Sequence, residues 1–292
     1  MGREFFQNFP VARQTFEEAD DALGFHISQL CFDGPESELK LTINTQPAIL
    51  TVSIAILRVL FAEIGIKPSL LAGHSVGEYA SLTSAGALQF PDGVRITRLR
   101  GKFMQEAVPV GEGSMAAILG LSKDEVEKIC ADAALDQVVT PANYNSPEQI
   151  VISGHKEAVE RASTMATERG ARVVVLPVSA PFHCRLMRPA AERLGEELKK
   201  ISFSEIKIPV ISNAEAESYP AKEEIQRLLI KQVDHPVRWE ESMNRMLQDG
   251  IEKVVEVGPG RVLSGLMKRI SREVQILNVD DINGLKDLEK NC

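Results

Sequence analysis

A serine between two glycines is the first group in this sequence that could carry out chemistry. Gly73, Ser75 and Gly77 lie in the stretch GHSVG, which matches the pattern Gly-x-Ser-x-Gly. In enzymes with this pattern the serine lies on a sharp turn from a strand into a helix, and its Oγ projects into a cleft. The N–H groups at the start of that helix stabilise the oxyanion that forms on an attacked carbonyl. The pattern predicts that Ser75 is the nucleophile of an acyl reaction; a small-residue turn that only packs helix on strand is the structural alternative.

A serine nucleophile needs a base, and the chain contains five histidines. His183 follows a predicted strand and an apolar turn, where an α/β sheet presents loop residues at its active edge. His235, beside Asp234, is the second candidate. His74 adjoins Ser75 but points away on such a turn. We therefore expect His183 to be the base; the two histidines in polar loop settings are His26 and His155.

The segments around Ser75 have the spacing that such a turn requires. Residues 68–73 form a short apolar run typical of a strand, and residues 76–88 return to helical spacing. Residues 45–65 are strongly apolar and predict a helix that starts after Pro47 and ends at Gly65. Two further predicted helices cover residues 11–23 and 92–107.

A change in composition near residues 108–114 marks a second unit. The segments that follow predict the order strand, helix, strand, strand, helix, strand, which is the ferredoxin-like βαββαβ arrangement. Ser122 and Glu125 have the spacing of a capping box at the first of these helices. We place this small domain at residues 111–180.

The large domain, residues 1–110 and 181–292, resumes with strands that alternate with helices. The predicted strands are residues 207–213, 251–258 and 275–281. This alternation predicts an α/β fold with a mostly parallel sheet covered on both faces.

Composition excludes several classes of protein. The formal net charge is -8, so nothing neutralises a phosphate backbone in bulk and we expect no nucleic-acid partner. No apolar run is long enough to predict a membrane span, and we expect no secretory leader, because no charged stretch followed by an apolar one begins the sequence. The cysteines show no metal-binding or disulfide spacing, which predicts a reducing, cytoplasmic location and no metal site; they are Cys31, Cys130, Cys184 and Cys292.

Several stretches taken together, in order along the whole chain, resemble one family. They are TQPAIL, GHSVGEYA, RGKFMQEAVP, NYNSPEQIVISGHKEAVERA, PFHCRLM, HPVRW and EVGPGRVLSGL. The chain is similar to malonyl-CoA:acyl-carrier-protein transacylases of type II fatty acid synthesis. That resemblance implies an α/β-hydrolase-like large domain with an inserted ferredoxin-like domain. It also implies transfer of a malonyl group from malonyl-CoA to the phosphopantetheine thiol of acyl carrier protein, through a malonyl-serine ester and without a metal or other cofactor.

The resemblance also implies a role for each site residue. Ser75 would carry the ester and His183 would be the base, oriented by the backbone carbonyl of Gln232 rather than by a carboxylate. Arg100 would pair with the free malonyl carboxylate through its planar fork, and Gln46 would line the pocket. By periodicity alone Arg100 is not distinguishable from its helix neighbours Arg95 and Arg98.

Two further residues complete the implied site. Phe182, before the histidine, accompanies malonyl rather than bulkier acyl groups in related domains, although core packing is its structural alternative. The backbone N–H of Val76 would be one oxyanion donor. Family members usually begin with a strand and a glutamine-rich turn that supplies a second donor, and this sequence lacks that segment. Loss of one such donor costs about 10²–10³ in rate.

Two alternatives remain open at this stage. A serine hydrolase or thioesterase shares the Gly-x-Ser-x-Gly turn, but it usually places an Asp or Glu before its final histidine. A truncated, non-catalytic homologue that binds carrier protein is the other. We expect a monomer whose partners are malonyl-CoA and acyl carrier protein.

Overall fold

The computed structural model describes residues 1–178 and 180–291, so Cys292 lies outside the described residues. The strands are β1 (Gly113–Leu119), β2 (Val139–Ser146), β3 (Gln149–His155), β4 (Arg172–Val175), β5 (Lys253–Val257) and β6 (Gln275–Val279). The helices are α1 (Arg3–Asn8), α2 (Pro10–Leu23), α3 (Ile27–Asp33), α4 (Glu36–Leu39), α5 (Thr42–Val59), α6 (Gly77–Ser84), α7 (Phe90–Glu106), α8 (Lys123–Ala134), α9 (Lys156–Glu168), α10 (Arg188–Leu198), α11 (Ile225–Asp234), α12 (Trp239–Gln248), α13 (Val262–Ile270) and α14 (Ile282–Asn291).

Helix α5 is the central helix of the large domain. It packs against α2, α6 and α7, and its apolar side chains belong to the largest buried cluster of the fold. Together with the π-helical turn that continues it to Ile64, α5 is long and apolar enough to cross a membrane by length and composition alone. Because α5 is packed between other helices, burial in the protein core also explains its apolar composition.

The predicted start of α5 was wrong, because the helix begins at Thr42 and contains Pro47. A proline inside a helix removes one backbone hydrogen bond. Tertiary packing compensates: Gly101 of α7 lies so close to this first turn that a Cβ there would be 2.4 Å from the carbonyl oxygen of Thr42. The close approach of α7 therefore supports helical residues on both sides of the proline.

The strands β1–β4 form the antiparallel sheet of the small domain. Their order is β2-β3-β1-β4, and α8 and α9 pack their apolar side chains on one face. This order, with the connectivity βαββαβ, confirms the ferredoxin-like prediction. The capping box of Ser122 and Glu125 is present at the start of α8. The domain division at residues 110/111 and 180/181 stays a prediction.

Parallel pairing in the large domain occurs in two places. Strands β5 and β6 form a parallel pair, and Leu71 forms a single parallel bridge with Val210. Within the described residues no backbone pairing joins the two. Pro68 and Pro209 lack an N–H, so the ladder around Leu71 cannot extend far. The α/β fold is therefore confirmed, with a large domain that is mainly helical.

Candidate active site

Ser75 lies on a sharp turn between the bridge at Leu71 and the first turn of α6. Its φ is 51°, which is the left-handed region that non-glycine residues seldom adopt. Gly73 makes the turn possible, because a Cβ there would be 2.0 Å from the carbonyl oxygen of Gly77. A Cβ at Gly77 would meet nothing within 4 Å. Of the two glycines in the pattern, Gly73 is thus the one that the geometry requires.

Asn213 holds this turn from the opposite side. Its Oδ1 accepts the Ser75 N–H at 2.6 Å, and its Nδ2 donates to the carbonyl oxygen of Gly73 at 2.8 Å. The side chain is 1% exposed. One buried amide therefore fixes the backbone on both sides of residue 74 and offsets the strain at Ser75.

His183 is placed to take the proton of Ser75. Its Nε2 lies 2.8 Å from Ser75 Oγ, and its Nδ1 lies 2.8 Å from the backbone carbonyl oxygen of Gln232. A carbonyl only accepts, so Nδ1 carries the proton and Nε2 is the acceptor that a general base needs. His183 itself has a φ of 59°, and this second left-handed residue turns the imidazole towards Ser75.

The surroundings of His183 keep it neutral. Burial lowers its pKa to about 3, and the positive charge of Arg100 acts in the same direction. The hydrogen bond to the Gln232 carbonyl opposes both effects without overcoming them. The imidazole is therefore unprotonated at neutral pH, which is the state in which it accepts the serine proton.

Arg100 lies beside the same serine, almost completely buried at 1% exposure. Its Nη2 donates to Ser75 Oγ at 3.0 Å and to Gln232 Oε1 at 2.8 Å. Its Nη1 donates to Gln46 Oε1 at 2.7 Å. The Nε atom has no hydrogen-bond partner among the residues described. A buried guanidinium within hydrogen-bond distance of a nucleophile is suited to hold a carboxylate of an acyl group.

Comparison with known proteins agrees with this geometry. The acyl transferase domain model matches residues 1–290. The malonyl CoA-acyl carrier protein transacylase of Escherichia coli (strain K12) is 48% identical over 264 residues, which cover 90% of this chain and 85% of that protein. The chain belongs to this transacylase family. The protein of the same name from Bacillus subtilis (strain 168) is 47% identical over 284 residues, 96% of this chain and 89% of its own.

Solved structures of the transacylase family match the fold closely. The malonyl CoA-acyl carrier protein transacylase of Coxiella burnetii has a TM-score of 0.97 and 46% identity, over 99% of this chain and 92% of its own. A malonyl-transacylase solved in complex with a type II PKS acyl-carrier protein has a TM-score of 0.98 and 44% identity, over 100% of this chain and 95% of its own. The family resemblance and the fold class predicted from the sequence are thereby confirmed.

The remaining predicted residues of this transacylase lie around the serine and the histidine. Gln46 is buried and bonds Arg100. Phe182 precedes His183 and packs between the large-domain core and the open face of the small sheet. Val76 follows Ser75, and its backbone N–H donates to no acceptor within the described residues. These positions are compatible with the predicted roles, which stay proposals.

The other histidines lie away from Ser75 Oγ. The ring of His74 turns from the cleft, with Nε2 2.9 Å from Asn145 Oδ1 of the small domain. His235 has a half-exposed side chain paired with Asp234. His26 is exposed and pairs with Asp20, and His155 accepts the Val138 N–H. None of the four forms a hydrogen bond with Ser75 Oγ, so His183 stands alone as the base candidate.

Sequence reasoning missed three groups that support the site of this transacylase. Glu78 is fully buried and accepts hydrogen bonds from the Asn213 N–H and from Gln232 Nε2. Gln232 contributes its side chain as well as its carbonyl, because its Nε2 also donates to the carbonyl oxygen of Ser75. One signal for Asn213 was available: it is the last residue of the predicted strand 207–213, and functional side chains cluster at the carboxyl ends of such strands.

Proposed function

We propose that this chain transfers a malonyl group from malonyl-CoA to the phosphopantetheine thiol of acyl carrier protein. One observation carries the proposal: Ser75 Oγ lies within hydrogen-bond distance of both His183 Nε2 and Arg100 Nη2. The base and a cation for a free carboxylate therefore both lie within hydrogen-bond distance of the nucleophile. The names of the relatives, which specify malonyl CoA and acyl carrier protein, support the same assignment.

The first half of the proposed reaction loads the serine. His183 Nε2 takes the proton of Ser75 as Oγ attacks the thioester carbonyl, and the electron pair of the C=O bond moves to oxygen. The N–H of Val76 stabilises that oxyanion. The carbon–sulfur bond then breaks, the imidazolium returns its proton to the leaving CoA sulfur, and a malonyl-serine ester remains.

The second half runs the same steps with a different thiol. His183 takes the proton of the phosphopantetheine thiol as its sulfur attacks the ester carbonyl. The carbon–oxygen bond to Ser75 breaks, and the imidazolium protonates Oγ to restore the free serine. The reaction is a ping-pong transfer in which the chain's own side chains supply the proton transfers.

Arg100 provides selectivity for the acyl group in this proposal. In this proposal the malonyl carboxylate accepts hydrogen bonds from the Nη atoms, which in the structure donate to the neutral side chains of Gln46 and Ser75. A bidentate, charge-assisted pair in a buried site is strong and directional. Gln46 holds the other side of the guanidinium, and Phe182 restricts the space next to the acyl group.

A serine hydrolase is the second candidate, and the orientation of His183 argues against it. Its Nδ1 is held by the backbone carbonyl of Gln232, whereas a typical hydrolase of this pattern uses an Asp or Glu there. A buried arginine beside the serine also has no general use in an esterase.

The partition of a preformed malonyl ester tests transfer against hydrolysis. The chain is loaded with malonyl-CoA, freed of excess reagent and divided between buffer and buffer with the phosphopantetheine form of acyl carrier protein. We expect malonyl to appear on the carrier protein much faster than free malonate appears in buffer. The carrier protein without its phosphopantetheine arm is the control and should receive nothing. Release to water at the same rate in all three samples would instead favour the hydrolase.

The oligomeric state, the cellular location and any partner other than malonyl-CoA and acyl carrier protein stay predictions. We propose a monomer in the cytoplasm that engages no nucleic acid and no membrane. We also propose that the reaction requires no resident cofactor, with the CoA thioester as substrate.

A further inference from the structure

A fully buried carboxylate lies at the centre of the hydrogen bonds that hold the site together. Glu78 is 0% exposed. Its Oε2 accepts from Gln232 Nε2 at 2.6 Å and from the Asn213 N–H at 3.1 Å, and its Oε1 accepts from the Tyr219 hydroxyl. The reaction steps described above do not use this group, so its burial needs another explanation.

Glu78 is connected to Arg100 through a single amide. Arg100 Nη2 donates to Gln232 Oε1 at 2.8 Å, and Nε2 of the same amide donates to Glu78 at 2.6 Å. Within the described residues the hydrogen-bond acceptors of Arg100 are the neutral side chains of Gln46, Ser75 and Gln232, and no carboxylate pairs with it directly. The guanidinium is therefore buried without a direct counter-ion, and Glu78 acts on it across the amide of Gln232.

We propose that Glu78 is the counter-charge of Arg100 in the empty pocket and takes a proton from solvent when a carboxylate-bearing acyl group binds to Arg100. The inference rests on the proposed function, since it needs the malonyl carboxylate to occupy that arginine. It adds a residue that determines both acyl selectivity and pH dependence, and that acts through Gln232 without touching the substrate.

The charge balance of the buried site supports this exchange. In the empty pocket, one cation and one carboxylate leave no net charge. A second carboxylate on Arg100 would leave a net negative charge among buried groups, which is costly. Because a nearby like charge raises the pKa of a carboxyl group, protonation of Glu78 restores neutrality.

Glu78 is the group in this network that titrates near neutral pH. Burial raises its pKa to about 7, against the hydrogen bonds from Tyr219, Gln232 and Asn213 and the charge of Arg100. Burial raises the pKa of both Tyr79 and Tyr219 beyond their ordinary values.

The neighbouring groups Arg100, His183 and His74 do not change charge in the pH range in which Glu78 titrates. Burial lowers the pKa of Arg100 from its ordinary value, but an arginine side chain is not deprotonated in this range, so the guanidinium stays charged. Burial brings the pKa of His183 to about 3 and also lowers the pKa of His74. Both imidazoles are thus neutral throughout the range in which Glu78 loses its proton.

The sign of the pH dependence follows from these protonation states. Below pH 7 the Glu78 carboxyl is already protonated, so malonyl binding takes up no proton. Above pH 7 it is ionised in the empty site, and binding must draw one proton from solvent. The affinity for a malonyl thioester should therefore fall by up to about tenfold for each pH unit above 7, while the affinity for acetyl-CoA should not share that fall.

Calorimetry with two thioesters tests the proposal. The Ser75→Ala chain, which cannot turn over, is titrated with malonyl-CoA and with acetyl-CoA in buffers of different ionisation enthalpy. The CoA phosphates titrate equally in both, so the difference in proton uptake belongs to the carboxylate. At pH 8 we expect binding of malonyl-CoA to take up about one proton more than binding of acetyl-CoA. At pH 5.5 we expect the same proton uptake for both thioesters.

Two variants, each made in the Ser75→Ala chain, test whether Glu78 is the group that takes up this proton. Glu78→Gln should abolish the excess at pH 8 and remove the malonyl-specific fall in affinity. Tyr219→Phe keeps the carboxyl group but removes one donor to its ionised form, which raises its pKa. The pH at which half the excess appears should then move upward, so the test does not depend on Glu78→Gln folding normally.

The outcomes separate this inference from the proposed function. Equal proton numbers for the two thioesters at pH 8 would overturn the inference, and so would an undiminished excess in Glu78→Gln or an unmoved half-point in Tyr219→Phe. In each case a malonyl ester on Ser75 of the parent chain would leave the proposed function standing. Failure to form that ester would overturn both.

Discussion

Replacing His183 by asparagine is expected to slow formation of the malonyl-serine ester by about 10³- to 10⁶-fold. Asparagine tolerates the left-handed backbone that position 183 adopts, and its amide can still donate to the Gln232 carbonyl. What it lacks is a basic nitrogen like Nε2, which lies 2.8 Å from Ser75 Oγ and can take its proton. The loss therefore reports the missing base rather than a strained loop. The measurement is the rate of ester appearance by rapid quenching and intact mass.

His235→Ala is the matched control for this variant. His235 is the second histidine candidate from the sequence, and in the structure it is half exposed and paired with Asp234. We expect its replacement to leave the rate of ester formation within about twofold, as for surface changes in general. A loss of similar size in both variants, or none in His183→Asn, would contradict the assignment of the base.

Replacing Arg100 by methionine should reverse the preference for a carboxylate-bearing acyl group. Truncating one partner of a buried, hydrogen-bonded charge pair costs several kcal/mol, so kcat/KM for malonyl-CoA should fall by about 10²–10³-fold. The value for acetyl-CoA should be unchanged or raised, because no carboxylate needs the guanidinium. Methionine keeps much of the apolar stem, and Glu78 can become neutral by taking a proton.

Arg98→Met serves as the control on the same helix. Arg98 donates to Asn44 Oδ1 and lies over the Phe25 ring, away from Ser75. Its replacement should leave the ratio of malonyl to acetyl transfer unchanged. If Arg100→Met kept the parent ratio as well, Arg100 would not be the group that recognises the carboxylate.

The elements next to the site were predictable because local patterns determine them. The Gly-x-Ser-x-Gly stretch and its flanking segments predicted a turn into a helix, and Ser75 lies on such a turn. The small domain was equally accessible, since each of its strands and helices is bounded by clear turn and capping signals, including Ser122. Family resemblance then selected Arg100 among three arginines that periodicity could not separate.

The parts that sequence reasoning could not reach depend on contacts distant along the chain. The start of α5 at Thr42 relies on the close approach of Gly101, which outweighs the effect of Pro47. Glu78 reads as an ordinary polar residue of a helix until Tyr219, Gln232 and Asn213 are placed around it. No local pattern marks a side chain whose partners lie more than 130 residues away.

Intact mass of the chain after mixing with malonyl-CoA shows whether Ser75 is the nucleophile. The parent chain and Ser75→Ala are compared, each with a circular dichroism spectrum to show that it is folded. We predict one added malonyl group on the parent chain and none on Ser75→Ala. A folded parent chain that gains no malonyl group, or a Ser75→Ala chain that gains one, would contradict it.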